Sequence, residues 1–157
     1  MSKRDDMLRY AYQFVGVPYK YGGNDLATGV DCSGLVNGVL RHFDLVPQRD
    51  HAAQWLYWYF TGQRDKYEGE VGHDPGDIWN RTTKARKPGN IVFFGRHRVS
   101  HVAFIVDHCD MLEAAGGDSS TKALAYALTL DAKVKVSRIN RRTDFHSIVD
   151  PFAQLGE

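Results

Sequence analysis

Apolar residues follow two periods along the chain, and the period changes near residue 90. Met7, Leu8, Ala11, Tyr12 and Val15 recur at helical spacing behind Ser2, with Asp5 three positions on, a pattern that predicts a first helix ending near Gly16 and Pro18. Leu35, Val36, Val39, Leu40 and Phe43 mark one face of a second helix, for which Asp31 is the expected N-cap. A third is predicted over residues 51–60, with Trp55, Leu56, Trp58 and Tyr59 as core and rim. Beyond the Lys87-Pro88-Gly89-Asn90 turn the runs are short and β-rich: residues 91–94, 101–106, 111–115, 134–139 and 147–149, with a helical turn at 123–128. Helices first and strands second is the order of an α+β domain, an antiparallel sheet covered by the N-terminal helices.

The change of period leaves a gap. Residues 61–87 have few apolar positions and no repeat, with five acids between Asp65 and Asp77 followed by Arg81, Lys84, Arg86 and Lys87. They read as a long loop inserted into one domain spanning 1–157. Loops of that length in compact domains are characteristically lids or disordered segments, and a lid or wall over a cleft, anchored by Ile78 and Trp79, is the expectation.

Composition narrows the classes. At 157 residues, with 43% hydrophobic and 25% charged positions, the chain has the size and make-up of one globular domain. A net charge of +1 gives no overall field for nucleic acid or an anionic bilayer. A basic set, Lys133, Lys135, Arg138, Arg141 and Arg142, is the only local candidate, but Lys133 and Lys135 alternate with Ala132, Val134 and Val136 as on an ordinary solvated strand face, so no nucleic-acid partner is expected. No apolar run approaches the ~20 residues of a membrane span, and the N-terminal residues lack the apolar core of a signal peptide. Cys32 and Cys109 are the only cysteines, and both read as thiols.

Of the two, Cys32 carries the more specific chemistry. It falls in the first turn of the second helix, where unpaired backbone N–H groups and the dipole's positive end favour thiolate and offer donors to a tetrahedral oxyanion. This placement predicts a lowered thiol pKa and preferential alkylation at neutral pH. The competing reading is a small buried core thiol. A cysteine nucleophile needs an imidazole to take its proton and a polar group to orient that imidazole. His101 opens an apolar strand, and Glu113 lies on the next one. If the hairpin loop is Asp107-His108-Cys109, Ala103 pairs with Glu113, which puts Glu113 on the same face as His101, on the diagonal ~7 Å away. A two-residue loop would send Glu113 to the opposite face.

Pro18-Tyr19-Lys20-Tyr21-Gly22-Gly23, Asp31-Cys32-Ser33-Gly34-Leu35-Val36, Lys87-Pro88-Gly89-Asn90-Ile91-Val92-Phe93-Phe94 and His101-Val102-Ala103-Phe104-Ile105-Val106 together resemble the successive motifs of the NlpC-type cell-wall peptidases, a papain-like family. The similarity spans about residues 7–150. It implies a papain-like fold and a cysteine endopeptidase that hydrolyses an amide in the peptide stem of peptidoglycan, with Cys32 as nucleophile, His101 as base and Glu113 as the third polar member. Tyr19, Asp31 and Ser33 would line the oxyanion and substrate side. Glu113 stands where His is commoner, Asn90 where Asp is usual and Ala103 where Gly is usual.

Three other readings stay open: an amidase or acyltransferase on another substrate, a cell-wall binding module without catalysis, and a zinc site at His97, His101, His108 and Cys109. Zinc is disfavoured because a predicted strand separates His101 from His108 by ~20 Å. Neither a metal nor an organic cofactor is expected. Without a signal peptide, the expected setting is a phage tail or lysis enzyme, or an effector exported by another secretion assembly, made in the cytoplasm and acting in the periplasm or at the cell wall.

Overall fold

The computed structural model of the protein describes residues 2–63, 80–115 and 132–153. Helix α1 (Lys3–Tyr12) starts at a complete capping box: Ser2 Oγ accepts the Asp5 N–H at 3.1 Å, and the Asp5 carboxylate bonds back to the Ser2 N–H. Past Tyr12 the coil tightens into i→i−3 bonds from Gln13, Phe14 and Val15 to Tyr10, Ala11 and Tyr12, and it gives way to tertiary bonds at Gly16, near the expected stop. The Gly16 N–H donates to the Val134 carbonyl at 2.8 Å, and the Val134 N–H donates to the Val17 carbonyl at 2.8 Å. The Tyr-Gly-Gly loop contains a small antiparallel hairpin, β1 (Asn24–Asp25) with β2 (Gly29–Val30), which leads directly into α2 (Cys32–His42).

Helix α2 is the buried helix of the fold, with Leu35, Val36, Val39 and Leu40 fully inaccessible. Asp44, at φ +60°, ends it in a left-handed turn. The Leu45 N–H returns to the Leu40 carbonyl and the Asp44 N–H to the Arg41 carbonyl, both at 3.0 Å, the paired bonds of a Schellman stop. Helix α3 (Ala53–Phe60) begins two residues later than its apolar pattern suggests, because the His51 ring is stacked on Trp55 and hydrogen-bonded to the Pro47 carbonyl.

Among the described residues six strands form one sheet in the order β3-β8-β4-β5-β6-β7, antiparallel at every pairing. They are β3 (Thr82–Thr83), β4 (Ile91–Phe94), β5 (His101–Ile105), β6 (Asp110–Ala115), β7 (Lys133–Arg138) and β8 (Phe145–Val149). Strands β4 and β5 are buried at every residue, which is why they read as continuous apolar runs. Phe93, Phe104, Leu112 and Val134 face the helices in the main core, while Val92, Phe94, Ala103, Ile105 and Met111 form a second cluster on the other face, joined by Ile139 and Ile148.

The aperiodic stretch 61–87 is therefore not loop throughout. Thr82 and Thr83 pair with Val149 and Ile148 as the sheet's edge strand, and a two-residue strand is too short to show a period. Arg81 is buried beside them, its guanidinium over the rings of Phe60 and Tyr59. The acidic run, Ile78-Trp79 and the helical turn at 123–128 lie outside the described residues. Asn90 has a physical reason for replacing the usual acid. Its Oδ1 accepts from Arg4 Nη1 at 2.7 Å and its Nδ2 donates to the Ala85 carbonyl, a second role that no carboxylate can fill, while Asp150 already neutralises Arg4 at 2.6 Å.

Candidate active site

Cys32 occupies the first position of α2. Asp31 makes this start: its backbone is extended, and its Oδ1 accepts the Gly34 N–H at 2.6 Å and the Ser33 hydroxyl at 3.2 Å. The Asp31 N–H in turn donates to the Gly23 carbonyl at 3.0 Å, tying the helix start to the Gly22-Gly23 turn. Gly34 is required here, since a Cβ would stand 2.0 Å from that same Gly23 oxygen. The motif around Cys32 is thus a packing solution as well as a chemical one.

The thiol does not behave as its helix position alone predicts. Its side chain is half-buried, and desolvation, joined by the negative charge of Asp31, pushes its pKa up to about 11. The Val102 and Ser33 backbone N–H groups and the Arg142 charge act in the opposite direction and are outweighed. The expected lowering fails chiefly because burial desolvates the sulfur, and secondarily because the residue that caps the helix is itself an acid beside it. Cys109 is a free, exposed thiol in the β5–β6 turn.

His101 opens β5 directly before Val102, whose N–H serves the Cys32 sulfur. Its place is fixed from the preceding turn. The Ser100 N–H donates to the Phe94 carbonyl at 2.9 Å, and Gly95 takes φ +139° at a point where a Cβ would stand 1.9 Å from the Arg98 carbonyl oxygen. Strands β5 and β6 pair Phe104 with Leu112 and Ile105 with Met111, with the Val106 N–H on the Asp110 carbonyl, which is the register of the odd loop. Glu113 accordingly shares a face with His101, and Nε2 lies 2.7 Å from Oε1.

Glu113 is wholly buried. Burial alone would raise its pKa, but hydrogen bonds from His101 and Arg141, the His101 charge and the Ser137 hydroxyl outweigh it and hold the carboxyl at about 2. An ionised carboxylate only accepts, so Nε2 carries the proton and Nδ1 keeps the lone pair. Burial depresses the His101 pKa against the pull of Glu113, so the ring is neutral at neutral pH. Arg142 links the groups electrostatically: it acts on both Cys32 and His101, lies 5.1 Å over the Phe94 ring and is bound to Asp144 at 2.8 Å.

Arg141 and Arg142, named in the sequence only as part of a basic set, act at this site. Both follow β7; Arg141 reaches back to Glu113, and the charge of Arg142 acts on His101. The signal in the sequence was indirect: an acid in the middle of an apolar strand needs a cation. Its register neighbour is Lys135, yet Arg141 makes the contact, through Nε to Oε2 and Nη2 to Oε1, both at 2.7 Å.

Tyr19 is buried in the main core, its backbone bridged to Val30 and bonded to the Ala132 carbonyl. Asp31 and Ser33 lie in the wall of a cleft of about 230 Å³, together with Gly23, Asn24, Asp50 and His51. His51 is neutral there, since burial lowers its pKa to about 4. Among the described residues no cluster of His, Cys, Asp or Glu is arranged to hold a metal ion, and no helix is long and apolar enough to cross a membrane.

The NlpC/P60 family profile matches residues 16–138, and the chain belongs to that family. Its fold is the papain-like α+β arrangement of solved family members. The NlpC/p60 domain of the peptidoglycan hydrolase SagA shares 18% identity at a TM-score of 0.57, with 95% of this chain and 99% of that one covered. The peptidoglycan hydrolase RipB from Mycobacterium tuberculosis shares 20% at 0.59, covering 96% and 68%. RipA, a resuscitation promoting factor interacting protein, shares 20% in two forms. One is mutated at a histidine (TM-score 0.56, covering 94% and 61%) and one at a glutamate twelve positions later (0.59, covering 93% and 60%). This chain thus spans only about three fifths of each solved RipA chain. Comparison with curated proteins gives no match.

Proposed function

We propose that the protein is a cysteine endopeptidase that cleaves an amide in the peptide stem of peptidoglycan. The observation that carries this reading is the 2.7 Å His101–Glu113 bond, made by the residue that precedes the Val102 N–H on the Cys32 sulfur. Support for the substrate comes from the neighbours SagA and RipB, both peptidoglycan hydrolases. RipA's mutated histidine and glutamate have the spacing of His101 and Glu113.

With Cys32 held protonated and His101 neutral, the resting site is a thiol and an imidazole rather than a preformed ion pair. The Cys32 proton passes to His101 Nδ1 as the sulfur attacks the carbonyl carbon. The Cys32 backbone N–H, a first-turn donor with no intrahelical acceptor, holds the oxyanion together with Tyr19. His101 then protonates the leaving amine, and the C–N bond breaks to give a thioester. Water, deprotonated by His101, adds to the thioester carbonyl, releasing the acid and restoring the thiol. Glu113 keeps the Nε2–H tautomer throughout and stabilises the imidazolium. Asp31, engaged in bracing the helix start, and Ser33 border the cleft through which the stem would run.

The test is mass spectrometry of muropeptides from purified sacculi digested with wild type and Cys32→Ala. Wild type should release fragments with new amino and carboxyl ends, and Cys32→Ala should release none. Identical products from both would refute the nucleophile, and intact stems after wild-type digestion would refute the substrate.

A further inference from the structure

We propose that Arg141 is a positioning residue of this site, a clamp on the Glu113 carboxylate that fixes the plane in which it holds His101. The proposal rests on the peptidase reading for its kinetic consequence, but its structural core stands on geometry alone. Glu113 Oε1 is shared between His101 Nε2 and Arg141 Nη2, and Oε2 is taken by Arg141 Nε, with all three contacts at 2.7 Å. Such a fork fixes both the position and the rotation of a carboxylate, which a single donor cannot do.

The backbone holds this arginine in reach. Residues Ile139–Arg141 form a single 3-10 turn after β7, with the Ile139 side chain buried in the second cluster and its N–H on the Cys109 carbonyl at 2.8 Å. Lys135 lies opposite Glu113 in the β6–β7 register but makes no ion pair with it among the described residues. A lysine offers a point charge where two parallel bonds are needed. Without Arg141, a fully buried carboxylate would have a neutral imidazole and the Ser137 hydroxyl as its remaining partners.

The titratable and charged groups acting on the pair are Arg141, Arg142 and Asp144 from the segment after β7, and each of His101 and Glu113 on the other. From α2, Cys32 feels both Arg142 and its neighbour Asp31. The sign of removing Arg141 follows. Loss of its positive charge ends a repulsion on the imidazolium and makes Glu113 more basic, so the pair holds its shared proton to higher pH.

The experiment compares wild type, Arg141→Met and Arg141→Lys, each alone and with Cys32→Ala. In the Cys32→Ala background, the His101 ring titration followed by NMR should move up by about one pH unit in Arg141→Met and stay near wild type in Arg141→Lys. In the active series, the acid limb of kcat/KM should move the same way, with kcat reduced ~10-fold or more and KM little changed, and Arg141→Lys should recover part of the loss. If Arg141→Met does not fold, Arg141→Gln, which keeps a donor in place, carries the same measurement. A His101 titration and acid limb in Arg141→Met indistinguishable from wild type would overturn the proposal, as would full recovery of kcat in Arg141→Lys, which keeps the charge but not the fork. The NMR arm needs no turnover, so an inactive wild type would defeat the peptidase reading while leaving the clamp to be decided by the titration.

Discussion

His101 Nε2 and Glu113 Oε1 lie 2.7 Å apart because the β5–β6 hairpin turns through an odd number of residues. Were the loop one residue shorter, the two-residue side-chain period of a strand would carry Glu113 to the opposite face of the sheet. The turn itself is held by the Asp107 carboxylate, which accepts the N–H groups of Cys109 and Asp110 at 2.8 Å each. A deletion in this exposed turn therefore acts on a buried pair at the far end of the hairpin.

The two thiols should separate cleanly in their reactivity. Iodoacetamide at pH 7 is expected to modify exposed Cys109 first, without loss of activity, because burial and Asp31 keep Cys32 protonated. Labelling of Cys32 should rise with pH toward about 11. Asp31→Asn keeps an N-cap of similar strength while removing the charge, so it should shift that profile to lower pH and change stability by less than ~0.5 kcal/mol. Rapid loss of activity with Cys109 still unmodified at pH 7 would contradict the buried-thiol picture.

Acid should destabilise the protein through the buried pair. Glu113 has a native pKa of about 2, below its ordinary 4.5, so its stabilising contribution is complete above about pH 4.5 and disappears as pH falls toward 2. His101 acts with the same sign. Burial lowers its pKa, so the unfolded chain takes up the proton first and stability falls as pH drops below the ordinary 6.5. In urea unfolding, Glu113→Gln should be less stable than wild type by roughly 3 kcal/mol at neutral pH, an upper figure. The gap should shrink to roughly 1.4 kcal/mol at pH 3 and close only below about pH 2. A gap that does not vary with pH would mean that Glu113 is not held ionised.

Gly34→Ala tests the packing at the nucleophile. The added Cβ would meet the Gly23 carbonyl oxygen at 2.0 Å, a backbone atom that can retreat only by moving the Gly22-Gly23 turn and the start of α2 together. The expected loss is at least ~3 kcal/mol, or a fall in Tm of roughly 6–12 °C. Any folded fraction should also have reduced activity, because Cys32 moves with the helix start. A melting temperature within 2 °C of wild type would show that the two backbones are not locked together.

Local sequence determined much of this protein. The capping box at Ser2, the Asp31 N-cap, the apolar face of α2 and the continuous runs of β4 and β5 each encode their element through nearest-neighbour chemistry, and the structure has them within a residue or two. The hairpin could be reduced to two registers, each with a definite consequence for Glu113. The family membership was legible because several motifs occur in order, each tied to a turn or helix start that tolerates few alternatives.

Only the tertiary structure decided which groups surround the reacting atoms. The β3 strand needed β8 to exist at all, and the segment after α1 is tied to β7 at Gly16 and Val17 by bonds with Val134. Sequence places Cys32 at a positive helix end, but its ionisation depends on desolvation by packed neighbours and on the side-chain direction of Asp31, and these reverse the local expectation. In the sequence Arg141 was only one member of a basic set of five. It became the partner of Glu113 because the chain turns after β7 and carries its guanidinium back over the sheet. Periodicity reports which face a residue takes within its own element, whereas electrostatics and long-range hydrogen bonds depend on distances between elements that only the packed chain sets.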